Sequence, residues 1–293
     1  VLVAAVCMAY TATFAQTVKP FKEGERAVFL GNSITDGGHY HSYIWLYYMT
    51  RFPNMPIRIF NGGIGGDTAF DMNKRLDADI FAMQPSVLMV TFGMNDSGYF
   101  EYNGDKAKEF GEEKYQESIK NYQQMEKRFK ELPKTRIVML GTSPYDETVQ
   151  LKEGNLFKTK NETIKRIVEY QKESAAKNGW EFSDLNAPMV ALNQQFQQKD
   201  PAFTLCGSDR IHPDNDGHMV MAYLFLKAQG FVGKDVANME INANKKEAVK
   251  AENCTVSNIK KIGNELSFDY LAEALPYPLD TIARGWGQKK SQA

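Results

Sequence analysis

The stretch AVFLGNSITDGG, residues 27–38, places a run of strand-forming residues directly before a glycine, an asparagine and a serine. Similar short runs rich in Val, Ile and Phe alternate with longer amphipathic stretches, a pattern typical of β-α-β units around a parallel sheet. The predicted strands are 27–30, 57–60, 86–92, 136–140 and 180–183, and the predicted helices are 41–52, 68–83, 112–131, 159–177 and 216–229. The sequence therefore predicts an α/β fold with a central five-stranded parallel sheet.

The composition is that of an ordinary globular protein. Of the 293 residues, 43% are hydrophobic and 24% are charged, which is enough for one large domain with an appendage. Lys and Arg together number 35 against 36 Asp and Glu, giving a formal net charge of -1. This balance provides no electrostatic reason to expect a nucleic acid or an anionic membrane as a partner.

The first fifteen residues form an apolar run that ends in Thr13-Phe14-Ala15, which suits a secretory cleavage site. Residues 1–15 are therefore interpreted as a signal peptide, with an N-terminal core helix as the alternative. The run is shorter than the roughly 20 apolar residues of a membrane span. We expect a secreted or periplasmic protein whose mature chain does not insert into a membrane.

The chain divides into two parts by its sequence pattern. Residues 16–233 carry the α/β pattern. Residues 234–293 change to a charged stretch followed by short alternating segments typical of β structure, and we interpret them as an appendage of unknown role.

Two cysteines, Cys206 and Cys254, remain once the signal peptide is removed. The sequence allows either a disulfide between them or two buried free thiols.

The polar residues cluster where the predicted strands end. In an open parallel sheet, ligands bind outside the carboxyl ends of the strands, where the loops diverge. The segments expected at this edge are 31–33, 61–68, 93–96, 141–144 and, before the last helix, 208–218. Glycines, an amide, a hydroxyl and an Asp-x-x-His pair thus converge on one rim.

This rim offers every group that ester hydrolysis through a serine requires. Ser33 would attack the carbonyl, His212 would accept its proton, and Asp209 would orient the imidazole. The backbone amides of Ser33 and Gly66 and the side-chain amide of Asn95 would hold the oxyanion. Glycine is expected at position 66 because a side chain would obstruct the approach of the amide to substrate. Taken alone, Ser33 could equally cap a turn.

Together these blocks resemble the SGNH hydrolase, or GDSL esterase/lipase, superfamily. The matching segments are Gly31-Asn32-Ser33-Ile34-Thr35, Gly65-Gly66-Asp67-Thr68, Gly93-Met94-Asn95-Asp96 and Asp209-Arg210-Ile211-His212-Pro213. The resemblance implies a flavodoxin-like three-layer α/β/α sandwich and serine catalysis on esters without a metal or other cofactor. One departure is Asn32, where the family usually has Asp; an amide can organise the turn but carries no charge.

Substrate contacts are predicted for His39 and Tyr99. The segment His39-Tyr40-His41 lacks a neighbouring cluster of further metal ligands, so a place on the substrate rim is favoured over a zinc site. The loop 97–105 carries Tyr99, Phe100 and Tyr102, which could stack on sugar rings or fold back over the base of the loop.

The sequence therefore indicates a serine esterase that removes acetyl or similar short acyl groups, with carbohydrate as the expected carrier and a small-molecule or oligosaccharide ester as the partner. The resemblance to exported carbohydrate acetylesterases supports this substrate. A lipase or lysophospholipase of the same fold is the alternative, and a non-catalytic glycan-binding module is a third hypothesis.

Overall fold

The computed structural model describes residues 17–152 and 154–279, so the predicted signal peptide lies outside the described residues. Five parallel strands form the central sheet in the order β2-β1-β3-β4-β5. They are β1 (Arg26–Gly31), β2 (Arg58–Gly63), β3 (Val87–Val90), β4 (Arg136–Gly141) and β5 (Glu181–Asp184). The predicted sheet is confirmed, and the carboxyl ends of its strands meet at one edge.

Seven α-helices are found in the described ranges, and their bounds are α1 (Ser33–Asp36), α2 (His39–Arg51), α3 (Ala69–Lys74), α4 (Ala107–Lys130), α5 (Lys160–Asn178), α6 (Asn186–Gln197) and α7 (Asn215–Ala228). The prediction of one helix over 68–83 was wrong in part. After α3 the chain continues as a π-helical turn, Leu76–Ile80, and a 3₁₀ turn, Phe81–Met83. Helix α6 was not predicted, because its N-cap position is Leu185, which makes no side-chain capping hydrogen bond and gives no start signal in the sequence.

The sheet is buried on both faces because alternate side chains point to opposite helical layers. Ala27 and Phe29 of β1 belong to the hydrophobic cluster shared with α2, α6 and α7. Val28 and Leu30 belong to the cluster shared with α3, α4 and α5. All four side chains are fully buried, so the three-layer sandwich follows directly from one continuous apolar strand.

Helix α2 buries only one narrow row of its apolar side chains. Ile44 and Tyr48 are buried and Phe52 is half-buried, as expected for residues four positions apart. Their apolar neighbours Trp45 and Met49 do not join the core and are 42% and 54% exposed. Each lies one residue, about 100° of helical rotation, beyond the buried row and therefore points away from α7.

The C-terminal segment forms two antiparallel hairpins, which confirms its predicted β-rich character. The first pairs β6 (Asn238–Asn242) with β7 (Glu247–Glu252), and the second pairs β8 (Cys254–Ile262) with β9 (Glu265–Ala272). The segment is tied to the C-terminal end of α2, since the Arg51 guanidinium donates to the carbonyls of Lys234 and Asp235. The domain boundary near 233 stays a prediction.

Both cysteines are buried free thiols, so the disulfide alternative is excluded. The Cys206 thiol donates to the Pro144 carbonyl at 3.2 Å. Burial raises the pKa of this thiol far above its ordinary value, which keeps it protonated and unreactive. Within the described ranges no helix is long and apolar enough to cross a bilayer.

Candidate active site

Ser33 lies at the first position of α1, directly beyond the end of β1. The buried Asn32 side chain caps this helix by accepting from Ile34 N at 3.1 Å. Helix α1 folds back tightly on the strand, so a Cβ at Gly31 would lie 2.1 Å from Thr35 Oγ1. Glycine is therefore required at 31, and the asparagine organises the turn by hydrogen bonding.

Ser33, His212 and Asp209 form one continuous chain of hydrogen bonds. Ser33 Oγ lies 2.8 Å from His212 Nε2, and His212 Nδ1 lies 2.6 Å from Asp209 Oδ2. The serine and the histidine are 179 residues apart in sequence, so only folding brings their side chains together. This arrangement can remove a proton from the hydroxyl and return it to a leaving group.

The Asp209 carboxylate is held in its ionised form. Burial by itself would raise its pKa, but hydrogen bonds from the His212 ring and from the amides of His212 and Ile211 outweigh that effect and lower the pKa. Its negative charge therefore faces the imidazole, fixes the Nδ1–H tautomer and favours the imidazolium that forms when Nε2 takes a proton.

The turn that carries this pair is anchored by Arg210, a residue that the sequence analysis did not single out. The buried Arg210 guanidinium donates to the carbonyls of Asp146 and Val149, and Asp146 N donates back to Arg210 O. Arg210 also adopts a left-handed conformation with φ of 68°. The loop after β4 thus fixes the position of His212 without touching it.

Gly66 lies in the loop after β2 with φ of 84°. A Cβ added there would have no heavy atom within 4 Å. Glycine suits this position for its conformation as well, because only glycine adopts this φ without strain, and the predicted obstruction of substrate by a side chain stays a prediction.

Asn95 is oriented by two hydrogen bonds. Its Nδ2 donates to the Asp67 carbonyl at 2.9 Å, and its Oδ1 accepts from the Tyr99 hydroxyl at 2.5 Å. The carboxamide therefore cannot be flipped, and its second amide hydrogen is left for another acceptor. The next residue, buried Asp96, accepts from the amides of Gly93 and Ala69 and ties this loop to α3.

Arg75, at the end of α3, joins the first two strand exits. Its Nε lies 2.6 Å from Asp67 Oδ2, and its Nη2 donates to the carbonyls of Gly31 and Gly62. Burial raises the pKa of Asp67, although the Arg75 guanidinium acts in the opposite direction. No sequence signal marked Arg75, because its partners are carbonyls that only the folded chain brings together.

An open cleft of about 610 Å³ lies beside the serine. The residues that line it are Ser33, Ile34, Asp36, Gly37, His39, Gly207, Ser208, Asp209, His212, Pro213, Asp214, Asn215 and His218. The predicted substrate residue His39 is among them, and its ring stacks on that of His218 at 5.1 Å. Burial lowers the pKa of His218 to about 3, so this ring is uncharged near neutral pH.

Tyr99 is half-buried and is not among the residues that line this cleft, and neither are Gly66 and Asn95. Its ring packs edge-on against Phe157 and its hydroxyl donates to Asn95 Oδ1. Tyr102 is also buried, whereas Phe100 is 69% exposed. The loop 97–105 therefore folds back over its own base, and the substrate contact predicted for Tyr99 stays a prediction.

The two histidines of the His-x-His segment are separated. His41 is buried, its Nε2 lies 3.2 Å from the Thr35 carbonyl, and burial lowers its pKa to about 4. His39 faces the cleft. Across the described ranges, no group of three or more His, Cys, Asp and Glu side chains is arranged to hold a metal ion.

Comparison with known proteins identifies the family of this chain. A family model described as "GDSL-like Lipase/Acylhydrolase family" matches residues 29–220. The chain belongs to this family. Its members are carboxylic ester hydrolases, as the sequence predicted, and the matched range runs from β1 into α7.

Individual relatives of this GDSL-like protein are also informative. An acetylxylan esterase from Geobacillus stearothermophilus is 27% identical over 224 residues, which cover 71% of this chain and 95% of the relative. The crystal structure of Axe2, an acetylxylan esterase from the same organism, superposes with a TM-score of 0.58 at 25% identity, covering 73% of this chain and 97% of that one. The resemblance to carbohydrate acetylesterases is thereby confirmed.

A third relative is much more similar. A solved structure of BT4096, described as a gut microbial diltiazem-metabolizing enzyme, has a TM-score of 0.90 and 85% identity over 95% of this chain. The chain spans 63% of the length of that structure.

Proposed function

We propose that this protein hydrolyses acetyl and similar short-chain esters, carried mainly on carbohydrate, with Ser33 as the nucleophile. The observation that carries the proposal is the unbroken hydrogen-bond chain from Ser33 Oγ through the His212 ring to Asp209. An Asp-His pair with only a structural role before a helix does not require a hydrogen bond from its imidazole to a serine hydroxyl at the edge of the sheet.

The reaction follows from this geometry. Ser33 Oγ attacks the ester carbonyl while its proton passes to His212 Nε2, and the carbonyl electrons move onto the oxygen. When the tetrahedral intermediate collapses, the imidazolium returns the proton to the departing sugar oxygen and an acetyl-serine remains. A water then attacks the acetyl group with His212 as base, which releases acetate and restores the hydroxyl.

The oxyanion is assigned to three donors. Ser33 N stands at the start of α1, where helix amides have no partner within the helix. Asn95 Nδ2 has a second hydrogen beyond the one given to Asp67. Gly66 N completes the set. Replacing Asn95 by Ala should lower kcat about 10²–10³-fold, the usual loss for one such donor.

Carbohydrate as the acyl carrier is supported by the cleft and by a relative. The side chains of Asp36, His39 and Asp214 line the cleft beside the serine and can accept or donate hydrogen bonds to hydroxyl groups. The acetylxylan esterase aligns over nearly its whole length with this chain. The lipase alternative requires a contiguous exposed apolar surface at the cleft, whereas the apolar lining side chains Ile34 and Pro213 are both buried.

A second substrate candidate comes from the relative with 85% identity, which metabolises diltiazem. Diltiazem carries an acetate ester on a secondary alcohol, the same bond type as an acetylated sugar. We therefore propose this drug as an additional substrate of the same site, measured by the deacetylated product.

The deciding experiment measures acetate released from acetylated xylan oligosaccharides, with diltiazem and lauroyl esters in parallel. Ser33→Ala should lower kcat at least about 10⁴-fold, whereas Ser42→Ala, which changes an exposed serine on α2, should leave it unchanged. Equal rates in wild type and Ser33→Ala, or no turnover of any ester, would contradict the proposal; the latter result would favour the glycan-binding module. Faster cleavage of lauroyl than acetyl esters would favour a lipase.

We also propose export to the periplasm or the medium, on the basis of the apolar N-terminal run. Expression with residues 1–15 intact should yield a mature chain that begins near residue 16, as read by N-terminal sequencing. A chain retained in the cytosol with residues 1–15 in place would contradict export.

A further inference from the structure

Lys160 is a fully buried lysine that the reaction described above does not use. It is the first residue of α5, where a positive charge opposes the helix dipole. Burial lowers the pKa of its ammonium to about 7, although the negative charges of Asp96 and Glu147 act to raise it. An ammonium in this position is costly, and an apolar side chain would fill the same space without that cost.

The Lys160 ammonium donates all three of its hydrogen bonds to the loop that carries Asn95. Its Nζ donates to the Met94 carbonyl at 2.7 Å, to Ser97 Oγ at 2.6 Å and to the Gly98 carbonyl at 2.5 Å. An ammonium has three donors, so all of them are used. The acceptors flank Asn95 in sequence, and the lysine therefore fixes the backbone on both sides of that residue.

The same ammonium also faces the side chain that orients Asn95. Its Nζ lies 3.9 Å from the centre of the Tyr99 ring, a cation–π contact shielded from water. The Tyr99 hydroxyl donates to Asn95 Oδ1, and Asn95 Nδ2 donates to Asp67 O. A continuous path of contacts thus runs from Lys160 through Tyr99 to the amide assigned to the oxyanion.

We propose that Lys160 and Tyr99 are positioning residues that hold the Asn95 carboxamide in the orientation needed to stabilise the oxyanion. This inference rests on the proposed function of the site. Neither side chain touches the reacting atoms. Because the oxyanion exists only after the serine has attacked, misplacing the amide lowers kcat and leaves KM nearly unchanged.

The test compares four proteins on a soluble acetyl ester: wild type, Lys160→Met, Tyr99→Phe and Asn95→Ala. Lys160→Met should lower kcat about 10- to 100-fold with KM within about 2-fold of wild type, since a displacement near 1 Å has an effect of this size. Tyr99→Phe keeps the ring under the ammonium and removes only the hydroxyl, and it should lower kcat about 10-fold.

Double variants distinguish positioning from a general structural role. In the Asn95→Ala background, Lys160→Met and Tyr99→Phe should each cause less than about a 2-fold further loss, because the group they position is gone. Losses that multiply with that of Asn95→Ala would overturn the proposal. So would unchanged kcat in a folded Lys160→Met or Tyr99→Phe protein.

The controls separate failure of this inference from failure of the proposed function. Lys74 lies over the Phe70 ring at 3.7 Å on the surface, so Lys74→Met removes a comparable contact away from the site and should leave kcat unchanged. If circular dichroism shows that Lys160→Met is not folded, the kcat of Tyr99→Phe tests the positioning role alone. Turnover that persists in Ser33→Ala refutes the proposed function itself, whereas loss in Ser33→Ala with full kcat in Tyr99→Phe refutes only the positioning role.

Discussion

At the scale of single residues, Asn32 stands where the family usually has Asp, yet it still forms the turn that places Ser33. The side chain is 2% exposed and accepts from Ile34 N, so it supplies the cap that starts α1. A carboxylate would supply the same acceptor together with a negative charge. The negative charge beside the imidazole comes from Asp209, a separate member of the family pattern, through a 2.6 Å hydrogen bond to His212 Nδ1.

His218 gives the first prediction at this scale. Burial lowers its pKa to about 3, so the folded protein keeps the ring neutral while the unfolded chain takes up a proton below about pH 6.5. Folding stability is therefore lost as the pH falls through 6.5 toward 3. Between pH 7 and pH 5 this one ring should account for about 2 kcal/mol of the decrease in the free energy of unfolding.

Urea denaturation of wild type and His218→Gln at both pH values checks this prediction. Between pH 7 and pH 5 the free energy of unfolding should decrease by about 2 kcal/mol less in the variant than in wild type. Comparing the two proteins removes the contribution of other groups, such as Asp96, whose pKa burial raises to about 6 and which acts in the opposite direction. An equal decrease in both proteins would show that His218 is not the responsible group.

At the scale of elements, the site depends on how the ends of the strands are joined. Helix α3 stops after six residues, and Arg75, directly beyond it, turns its side chain back to Asp67 and to the carbonyls that close β1 and β2. The Asp67 carbonyl in turn holds Asn95. The interrupted helix is thus the reason why three loops keep one relative position.

Arg75→Met should therefore affect both stability and turnover. The Arg75 and Asp67 side chains are 12% and 10% exposed, and removal of one partner leaves the other charge buried. We expect the free energy of unfolding to fall by about 3 kcal/mol, with a loss of kcat through the displaced Asn95. Denaturant titration and acetate release measure the two effects.

The matched control is Arg128→Met, which breaks a surface ion pair of the same 2.6 Å length with Asp77. Asp77 is 75% exposed, so this change should shift the free energy of unfolding by less than about 1 kcal/mol and leave kcat unchanged. Similar losses in both variants would mean that burial of the Arg75 pair does not matter.

At the scale of the whole molecule, the cleft beside Ser33 and the described contacts of the β-rich appendage lie at opposite ends of α2. His39, at the start of the helix, lines the cleft, whereas Arg51 and Thr50, at its end, bond to residues 234, 235 and 275 of the appendage. A helix of 13 residues separates these points by about 20 Å. These three contacts of the appendage are thus far from the serine.

A chain shortened to residues 16–233 should therefore retain kcat and KM within about 2-fold, because every residue assigned to the site lies within that range. Acetate release measures the activity, and sedimentation velocity of the full and shortened chains measures the mass. A loss of more than about 10-fold would assign the appendage a part in the site, and a change from dimer to monomer would make it an association surface.

Much of this protein is determined by sequence alone. Apolar runs such as Ala27–Leu30 predict a sheet buried on both faces, and four short blocks in order predict Ser33, Gly66, Asn95, Asp209 and His212, because these features depend on local pattern and on the common edge of parallel strands. The predicted roles of these site residues await the experiments above.

Other features were decided only by tertiary structure. The sequence could not show that the Tyr99 hydroxyl binds Asn95, that Trp45 and Met49 are exposed, or that Lys160 and Arg210 hold the loops of the site. Each of these depends on contacts between segments far apart in the chain, and a buried lysine or arginine has the same local sequence signature as an exposed one. Local periodicity specifies which residues form an element, whereas the packing of elements against one another decides what each side chain touches.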